Sequence, residues 1–506
     1  MFRLRRYKKV LAFSAVSAAS LWLLEHYSEA NSLWSSFRIV RFGRAASAAL
    51  NVCIGYQFSP TITDGSSDKE KATRSELHHQ SAICLRDMCS KNGGLFIKAG
   101  QVVASMDYLF PHEYVEVFKI FHSDAPQSSL RQLKQVLGKE LGQNVDDIIE
   151  EFVPTPLGAA SLAQCHKVYL KDGRTVAMKI QHPNVKATSS ADVKTIEFLV
   201  YCASWLFPSF QFNWLVEEIK RNLPNELDFI CEAQNMEKFS KLFTQFPFIK
   251  APTVHWDLTT RSVLTMEFCE GGKINDFQYM KQRGIDCTEV SWKLGRLYSE
   301  MIFVNGYIHC DPHPGNVLIR KDADRETEII MLDHGLYTQL TDEFRLTYCN
   351  LWQGMLKGDT EVVKHNCQLL NAGNLYPLLA SMVCAQTWDS IANAELDKGP
   401  PSSTEKAHIK KYVIQYSSEI TQLLATVPRD LLLIFKTNDL VRSVERSLGT
   451  RHSATGFITM SKCCVRAVAN NSIKHSNGLL MTVTAKLKMY YQLLILHLYE
   501  LWHNFV

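Results

Sequence analysis

The chain has 506 residues, 46% of them hydrophobic and 21% charged, with a formal net charge of +4. That balance argues for a globular protein with a large core and against a disordered chain, and so small a net charge makes no case for a nucleic-acid partner. Fourteen scattered cysteines, with neither a C-x-x-C pair nor zinc spacing, exclude a disulfide framework and leave buried or free thiols.

Charge is uneven along the chain. The first fifty residues net +6 and the remainder −2, and a basic, acid-poor start reads as a targeting segment. Within it, residues 10–24, VLAFSAVSAASLWLL, would span ~22 Å as a helix, short of a ~30 Å hydrocarbon core. A mitochondrial signal, a secretory h-region and a short membrane anchor all remain open there. Residues 38–58 make a worse span, because Arg41 and Arg44 would each cost ~2.5–3.5 kcal/mol at its centre. The polar, turn-rich stretch at 60–75 reads as a linker. A helical stretch follows to about residue 125, broken by KNGG at 91–94, and a short helical pair covers 126–150.

Residues 151–182 alternate apolar and polar around turns such as Asp172-Gly173, which predicts strands. Residues 187–245 are mostly helical; RSVLTMEFCEGG returns to strand and ends on Gly271-Gly272. From there helices dominate, apart from short strands around NVLIR and EIIMLDHG, with a second linker at 397–406. At the C-terminus, Gln492, His497, Glu500, His503 and Asn504 would share one arc of roughly 140° on a helix. The rest of that helix is apolar. It either packs on the core or lies at a membrane interface. Five segments result: a targeting or anchoring segment at 1–60, a helical extension at 61–150, a β-rich lobe with a helical insert at 151–270, a helical lobe at 271–465 and an amphipathic tail at 466–506. This order predicts an α+β class, a two-lobed protein-kinase-like fold.

The chemistry gathers in YIHCDPHPGNVLIR, residues 307–320. Asp311 and Asn316 have the spacing of a kinase catalytic loop, and Asp333, seventeen residues on in LDHGL, stands in the place of the D-F-G aspartate. Phosphoryl transfer needs metal ions on the phosphates, a group aimed at the nucleophile and cations against developing charge. Asp311 is the candidate base; Asn316 and Asp333 are hard oxygen ligands suited to Mg²⁺. His309 and His313 read as structural hydrogen-bonding groups. Upstream, GRTVAMKIQHP resembles the V-A-I-K strand, with Lys179 for the α/β-phosphates and Glu232 as its partner. VLTMEFCEGG reads as a hinge: the backbone from Glu267 to Cys269 would read adenine, and Met266 is the gatekeeper. ATP or ADP with Mg²⁺ is the expected cofactor set.

KAGQ at 98–101, PLGAASLAQCHK at 156–167, ELDFICEA at 226–233, HCDPHPGN at 309–316 and LDHG at 332–335 together resemble the UbiB/aarF-domain atypical kinase family, over about residues 80–450. The resemblance implies that the helix of Lys98 and Gln101 folds over the cleft, with Lys98 meeting Glu226 and Asp228. It also implies that Gly158-Ala159-Ala160-Ser161, in place of a glycine-rich phosphate loop, alters nucleotide preference and suppresses self-phosphorylation. Alanine reaches positive φ less cheaply than glycine, so that loop should be stiff. Cys310 replaces the arginine that would pair with an activation-loop phosphate, and no A-P-E follows Asp333, which argues against a protein substrate. The family further implies a mitochondrial, inner-membrane-associated kinase or ATPase in isoprenoid-quinone or lipid homeostasis. Its partners would be nucleotide, membrane lipids or lipid-like small molecules, and mitochondrial membrane proteins. A catalytically silent, nucleotide-gated scaffold organising membrane proteins and cristae is the alternative, and a secreted kinase-like protein a third.

Overall fold

A computed structural model describes residues 32–59, 67–104, 110–123, 126–207, 212–311, 313–384, 386–393, 426–449, 453–476 and 478–505, with Glu419 and Leu423. The apolar stretch at 10–24 and the linker at 397–406 lie outside them. The chain forms two compact units, one running to Gln234 and adding Thr253–Phe268, the other comprising Asn235–Pro252 and everything from Cys269.

The first unit holds an antiparallel sheet in the order Ile149–Phe152, Ala163–Leu170, Thr175–Gln181, Val263–Glu267, with the two-residue strand Gly158–Ala159 paired to Ala163–Leu170. Every second residue of Ala163–Leu170 is buried, which is the signature of one face on a core. That core is Val168, Val176, Met178, Ile180 and Val263, closed by Leu133 and Leu137. The two leucines come from the helix Leu130–Leu141, started by a capping box of Ser129 and Gln132.

Two expectations about the N-terminal part change. The segment 60–75 is not all linker: a helix runs Asp68–Asn92, because Ser67 and Glu70 form a capping box in S-D-K-E. The helix Ser32–Phe58, expected within a targeting or anchoring segment, packs into the first unit. Its Arg41 is 6% exposed and grips both oxygens of Asp192, at 3.0 and 2.6 Å. A third donor, Arg41 Nη1, bonds Asn92 O. The break at KNGG is real: Gly93 and Gly94 take φ of 68° and 55°, conformations that favour glycine.

The second unit holds a four-stranded sheet in the order Ile249–Lys250, Thr327–Met331, Val317–Lys321, Gly272–Lys273, and a separate pair of Tyr307–His309 with Tyr337–Gln339. Most of the remaining described residues are helical, including Cys287–Ser299, Asp342–Lys357, Arg429–Ser447 and Ser453–Lys474. The boundaries differ from those read in the sequence. The chain leaves the first unit after Phe268, two residues earlier than expected, and Asn235–Pro252 belongs to the second unit because Ile249–Lys250 pairs in parallel with Thr327–Met331. The helix Ser453–Lys474 runs through the expected break at 465/466. The last helix, Leu479–Phe505, packs along it but leaves Leu479 85% and Leu480 78% exposed, so core packing does not account for its apolar surface. All fourteen cysteines are free thiols.

Candidate functional site

In the first unit, the strand Thr175–Gln181 carries Lys179 and the first turn of the helix Phe229–Leu242 carries Glu232. Lys179 Nζ lies 2.6 Å from Glu232 Oε1, with side chains 16% and 3% exposed. The ammonium also stands 5.3 Å from the ring centre of Phe229. A pair so withdrawn from water holds together only because both charges are matched, and losing either partner strands the other.

The alanine loop is tied down rather than merely stiff. Ala160 N–H donates to Ala163 O at 2.8 Å. His182 Nε2 donates to Ala160 O at 3.0 Å, and its Nδ1 accepts from Ser128 Oγ at 2.8 Å. Ser128 N–H donates to Gln164 Oε1 at 2.9 Å, Gln164 Nε2 donates to His166 Nε2 at 2.8 Å, and His166 Nδ1 donates to Val153 O at 2.9 Å. Burial pushes both histidines below their usual range, which keeps these rings neutral and this chain of donors intact. Sequence reasoning missed His182; its only signal is that it follows Lys179 by three residues. Gly158 and Ala160 are exposed, whereas Ser161, expected among the phosphate contacts, is 4% exposed.

Lys98 Nζ lies 2.9 Å from Glu226 Oε2. Asp228, expected beside it, accepts from Ile230 N–H at 3.1 Å at the start of the next helix and sits 3.6 Å from Arg261 Nε. Gln101 Nε2 donates to Phe121 O at 2.8 Å. The close approach that Gly100 permits is to the rings of Phe118 and Phe121: a Cβ there would meet Phe121 at 2.6 Å. Met266 is 6% exposed in its strand. The Glu267 N–H donates to Thr253 O at 2.8 Å.

In the second unit the loop and the turn meet. Asp311 O accepts from His313 N–H at 2.7 Å and from Asn316 Nδ2 at 3.4 Å. Asn316 O accepts from Leu332 N–H at 2.9 Å, and Val317 pairs with Met331, so one residue fastens the Asp311 loop to the strand that delivers Asp333. Asp333 Oδ1 accepts from Gly335 N–H at 2.9 Å. The structure thus brings Asp311, Asn316 and Asp333 into one corner. Below them His309 is fully buried, with Nδ1 3.2 Å from Tyr298 Oη, and burial pushes its pKa down against the pull of Asp333 and Asp311. His334, between Asp333 and Gly335, donates from Nε2 to Met331 O at 2.9 Å and accepts at Nδ1 from Tyr337 Oη at 2.9 Å. These histidines brace the corner. Lys436, which sequence reasoning also missed, stands 3.6 Å from Asp311 Oδ1.

The donor set fits Mg²⁺ held jointly with phosphate. Among the described residues no three His, Cys, Asp or Glu side chains cluster as a self-sufficient metal cage. Mg²⁺ asks for less: one or two carboxylates, water and phosphate oxygens. Because Asn316 donates through Nδ2, its Oδ1 is the atom left to face a cation alongside Asp333.

A family model described as an ABC1 atypical kinase-like domain matches residues 120–367. AarF domain-containing protein kinase 1 of Mus musculus is 46% identical over 489 residues, covering 96% of this chain and 92% of the relative. AarF domain-containing kinase 1 of Drosophila melanogaster is 42% identical over 86% of this chain and 84% of its own. Among solved structures, the Rv3197–erythromycin complex from Mycobacterium tuberculosis aligns over 75% of this chain and 95% of its own, at 21% identity and a TM-score of 0.44. Identity of 42–46% to the mouse and fly proteins, over 86–96% of its length, makes this chain a member of the AarF-domain, ABC1-type atypical kinase family.

Proposed function

We propose that this kinase-like chain binds Mg²⁺ with ATP or ADP and acts as an atypical kinase or ATPase of mitochondria, in lipid or membrane homeostasis, on an acceptor that is not a protein. The observation that carries the nucleotide chemistry is Asn316, bonded to the Asp311 carbonyl and to the strand before Asp333. Asp333 and Asn316 hold the metal, which supplies charge neutralisation on the phosphates. Asp311 takes the acceptor's proton, and Lys179, kept in place by Glu232, neutralises the phosphate chain. A lipid or lipid-like acceptor is supported by the exposed apolar surface of Leu479–Phe505. Localisation at the mitochondrial inner membrane rests on the basic N-terminal segment.

The test is ATP turnover by the purified chain with and without liposomes and lipid-like phenols, together with a thermal shift on MgADP. Saturation at a hundred times Kd should stabilise the fold by ~2.7 kcal/mol. Lys179→Ala should weaken that shift and Asp333→Asn nearly abolish it. A well-folded sample that shows no shift sinks the enzyme reading. A second reading, a nucleotide-gated scaffold for mitochondrial membrane proteins, is favoured by the braced Ala160 loop; binding without turnover under every condition would select it.

A further inference from the structure

The loop that carries Asp311 has no cation of its own. From Asp311 to Asn316 it reads Asp-Pro-His-Pro-Gly-Asn, preceded by Cys310. His313 does not fill the gap: its Nδ1 accepts from Gly315 N–H at 3.1 Å. Yet phosphoryl transfer needs positive charge where the transferred group's oxygens gather it.

A cation arrives from a distant helix. Lys436 sits in the middle of Arg429–Ser447, with Nζ 3.6 Å from Asp311 Oδ1 and side chains 19% and 39% exposed. Its helix is pinned at both ends. Leu431, Ile434 and Phe435 are buried in the core of Tyr348 and Trp352. Val441 and Val444 are buried in the core beneath Val317 and Met331, the strand residues next to Asn316 and leading to Asp333. The lysine is therefore fixed against the same framework as the loop. Its spacing also differs from that of the closed ion pairs in this chain, 2.6 Å for Lys179–Glu232 and 2.9 Å for Lys98–Glu226. At 3.6 Å the ammonium is beyond an ordinary hydrogen bond to the carboxylate but well within its field.

We propose that Lys436 is a catalytic cation, donating an N–H to an oxygen of the phosphoryl group as it is transferred beside Asp311. The inference rests on the nucleotide reading above. In the step, an acceptor oxygen forms a bond to the γ-phosphorus of ATP. The bond from that phosphorus to the bridging oxygen breaks, and its electron pair leaves with ADP. The acceptor's proton passes to Asp311. Water as acceptor gives ADP and phosphate; a hydroxyl compound gives ADP and a phosphate monoester. Lys436 acts on the equatorial oxygens, where ADP alone has no counterpart.

That difference supplies a test that does not depend on knowing the acceptor. MgADP binding to the full chain is measured with and without aluminium fluoride, which mimics the phosphoryl group in transfer, for the parent, Lys436→Met, Lys436→Gln and Lys436→Arg, each checked for an unchanged cooperative melt. The neutral variants are expected to bind MgADP within about twofold of the parent but to lose about tenfold or more of the tightening that aluminium fluoride gives. The arginine variant should keep most of it. Equal tightening in a folded neutral variant overturns the assignment, as does a parent that binds MgADP but is not tightened by aluminium fluoride. A parent that binds no MgADP overturns the nucleotide reading itself, and this assignment with it.

Discussion

Lys98 and Glu226 form an ion pair 2.9 Å long, with side chains 25% and 12% exposed, while the neighbouring Asp228 serves the start of the next helix. The K-x-G-Q lysine thus pairs with Glu226. Removing it by Lys98→Ala is expected to cost on the order of 1–2 kcal/mol of stability, between the exposed and buried limits for ion pairs. Glu226→Gln should cost about as much, and the double variant little more than either alone. Asp228→Asn should leave the Lys98 effect intact. Chemical denaturation of the four variants checks the cycle; additive losses would show that Lys98 and Glu226 are not energetically coupled.

Glu232 and Lys179 make a more deeply buried pair, 2.6 Å apart. Lys179→Met should destabilise the fold by ~3–5 kcal/mol, the range for stranding one member of a buried pair, because it leaves the Glu232 carboxylate uncompensated. Glu232→Ala should cost less, because the lysine it strands is 16% exposed against 3% for Glu232 and reaches water more readily. Equilibrium melts of the two variants decide the order; the reverse order would mean that the stranded Lys179 finds no water.

The Ala160 carbonyl accepts from His182 Nε2 at 3.0 Å, and its N–H donates to Ala163 O at 2.8 Å. Two changes should loosen this loop by different routes: Ala160→Gly through the backbone, His182→Ala by removing the brace. The glycine–alanine difference, about 0.5–1 kcal/mol, sets a scale of roughly two- to fivefold in nucleotide affinity. Both variants are expected to shift MgADP affinity by that order and to gain self-phosphorylation. If affinity and the autoradiograph both match the parent in each variant, the loop is not a brake.

What the sequence disclosed about this site was what local spacing encodes. Asp311, Asn316 and Asp333 are set by a loop, a strand and a turn, so their meeting follows from short-range geometry. The Lys179–Glu232 pair was legible from motif order. Contacts between distant residues left no periodic signal: Arg41 reaching Asp192, Lys436 reaching Asp311, and His182 reaching back to Ser128. The helix from Asp68 is a different miss, since Ser67 and Glu70 carry the capping-box pattern but sit in a stretch whose polarity reads as linker. The bond from Glu267 N–H to Thr253 O was not legible either, because a strand's hydrogen bonds depend on its neighbour, which the hinge motif does not name.

Glu445 gives the fold a pH signature. Burial raises its carboxyl from 4.5 to about 7, against the pull of Arg442. The folded chain therefore keeps a proton that the unfolded chain releases first. Stability from this group is full below the unfolded value, declines as pH rises towards about 7, and levels off above it. The span is on the order of 3 kcal/mol. Glu445→Gln, neutral throughout, should gain stability relative to the parent at pH 8 and much less at pH 5. Calorimetric melts at the two pH values check this; equal shifts at both would show that the carboxyl is ionised in the fold.

The last helix, Leu479–Phe505, bears on where the chain works. One stripe, including Thr482, Ala485, Met489, Leu493 and Leu496, is partly covered, and the helix packs on Ser453–Lys474. The other side is exposed and apolar: Leu487 is 64% exposed, Tyr490 63%, Tyr491 66% and Leu494 55%. Its Leu479–Leu498 stretch is long and apolar enough to cross a membrane. Lys486 and Lys488 fall near the middle of that stretch, however, and a lysine at bilayer depth costs ~2.5–3.5 kcal/mol. Lying along the interface avoids that cost, because lysines and tyrosines can stay at the headgroup level while the leucines enter the acyl boundary. The helix is therefore expected to bind anionic liposomes from one side, through the face opposite its own chain. Charge and apolar depth can be separated: Lys486→Glu with Lys488→Glu should weaken binding to anionic vesicles most at low salt, and Leu487→Asp with Leu494→Asp should weaken it at any salt. Deleting residues 479–506 should leave a chain that still melts cooperatively and no longer floats with liposomes. A truncated chain that floats as before, or one that aggregates because the tail was part of its core, would refute the assignment of this helix to the membrane surface.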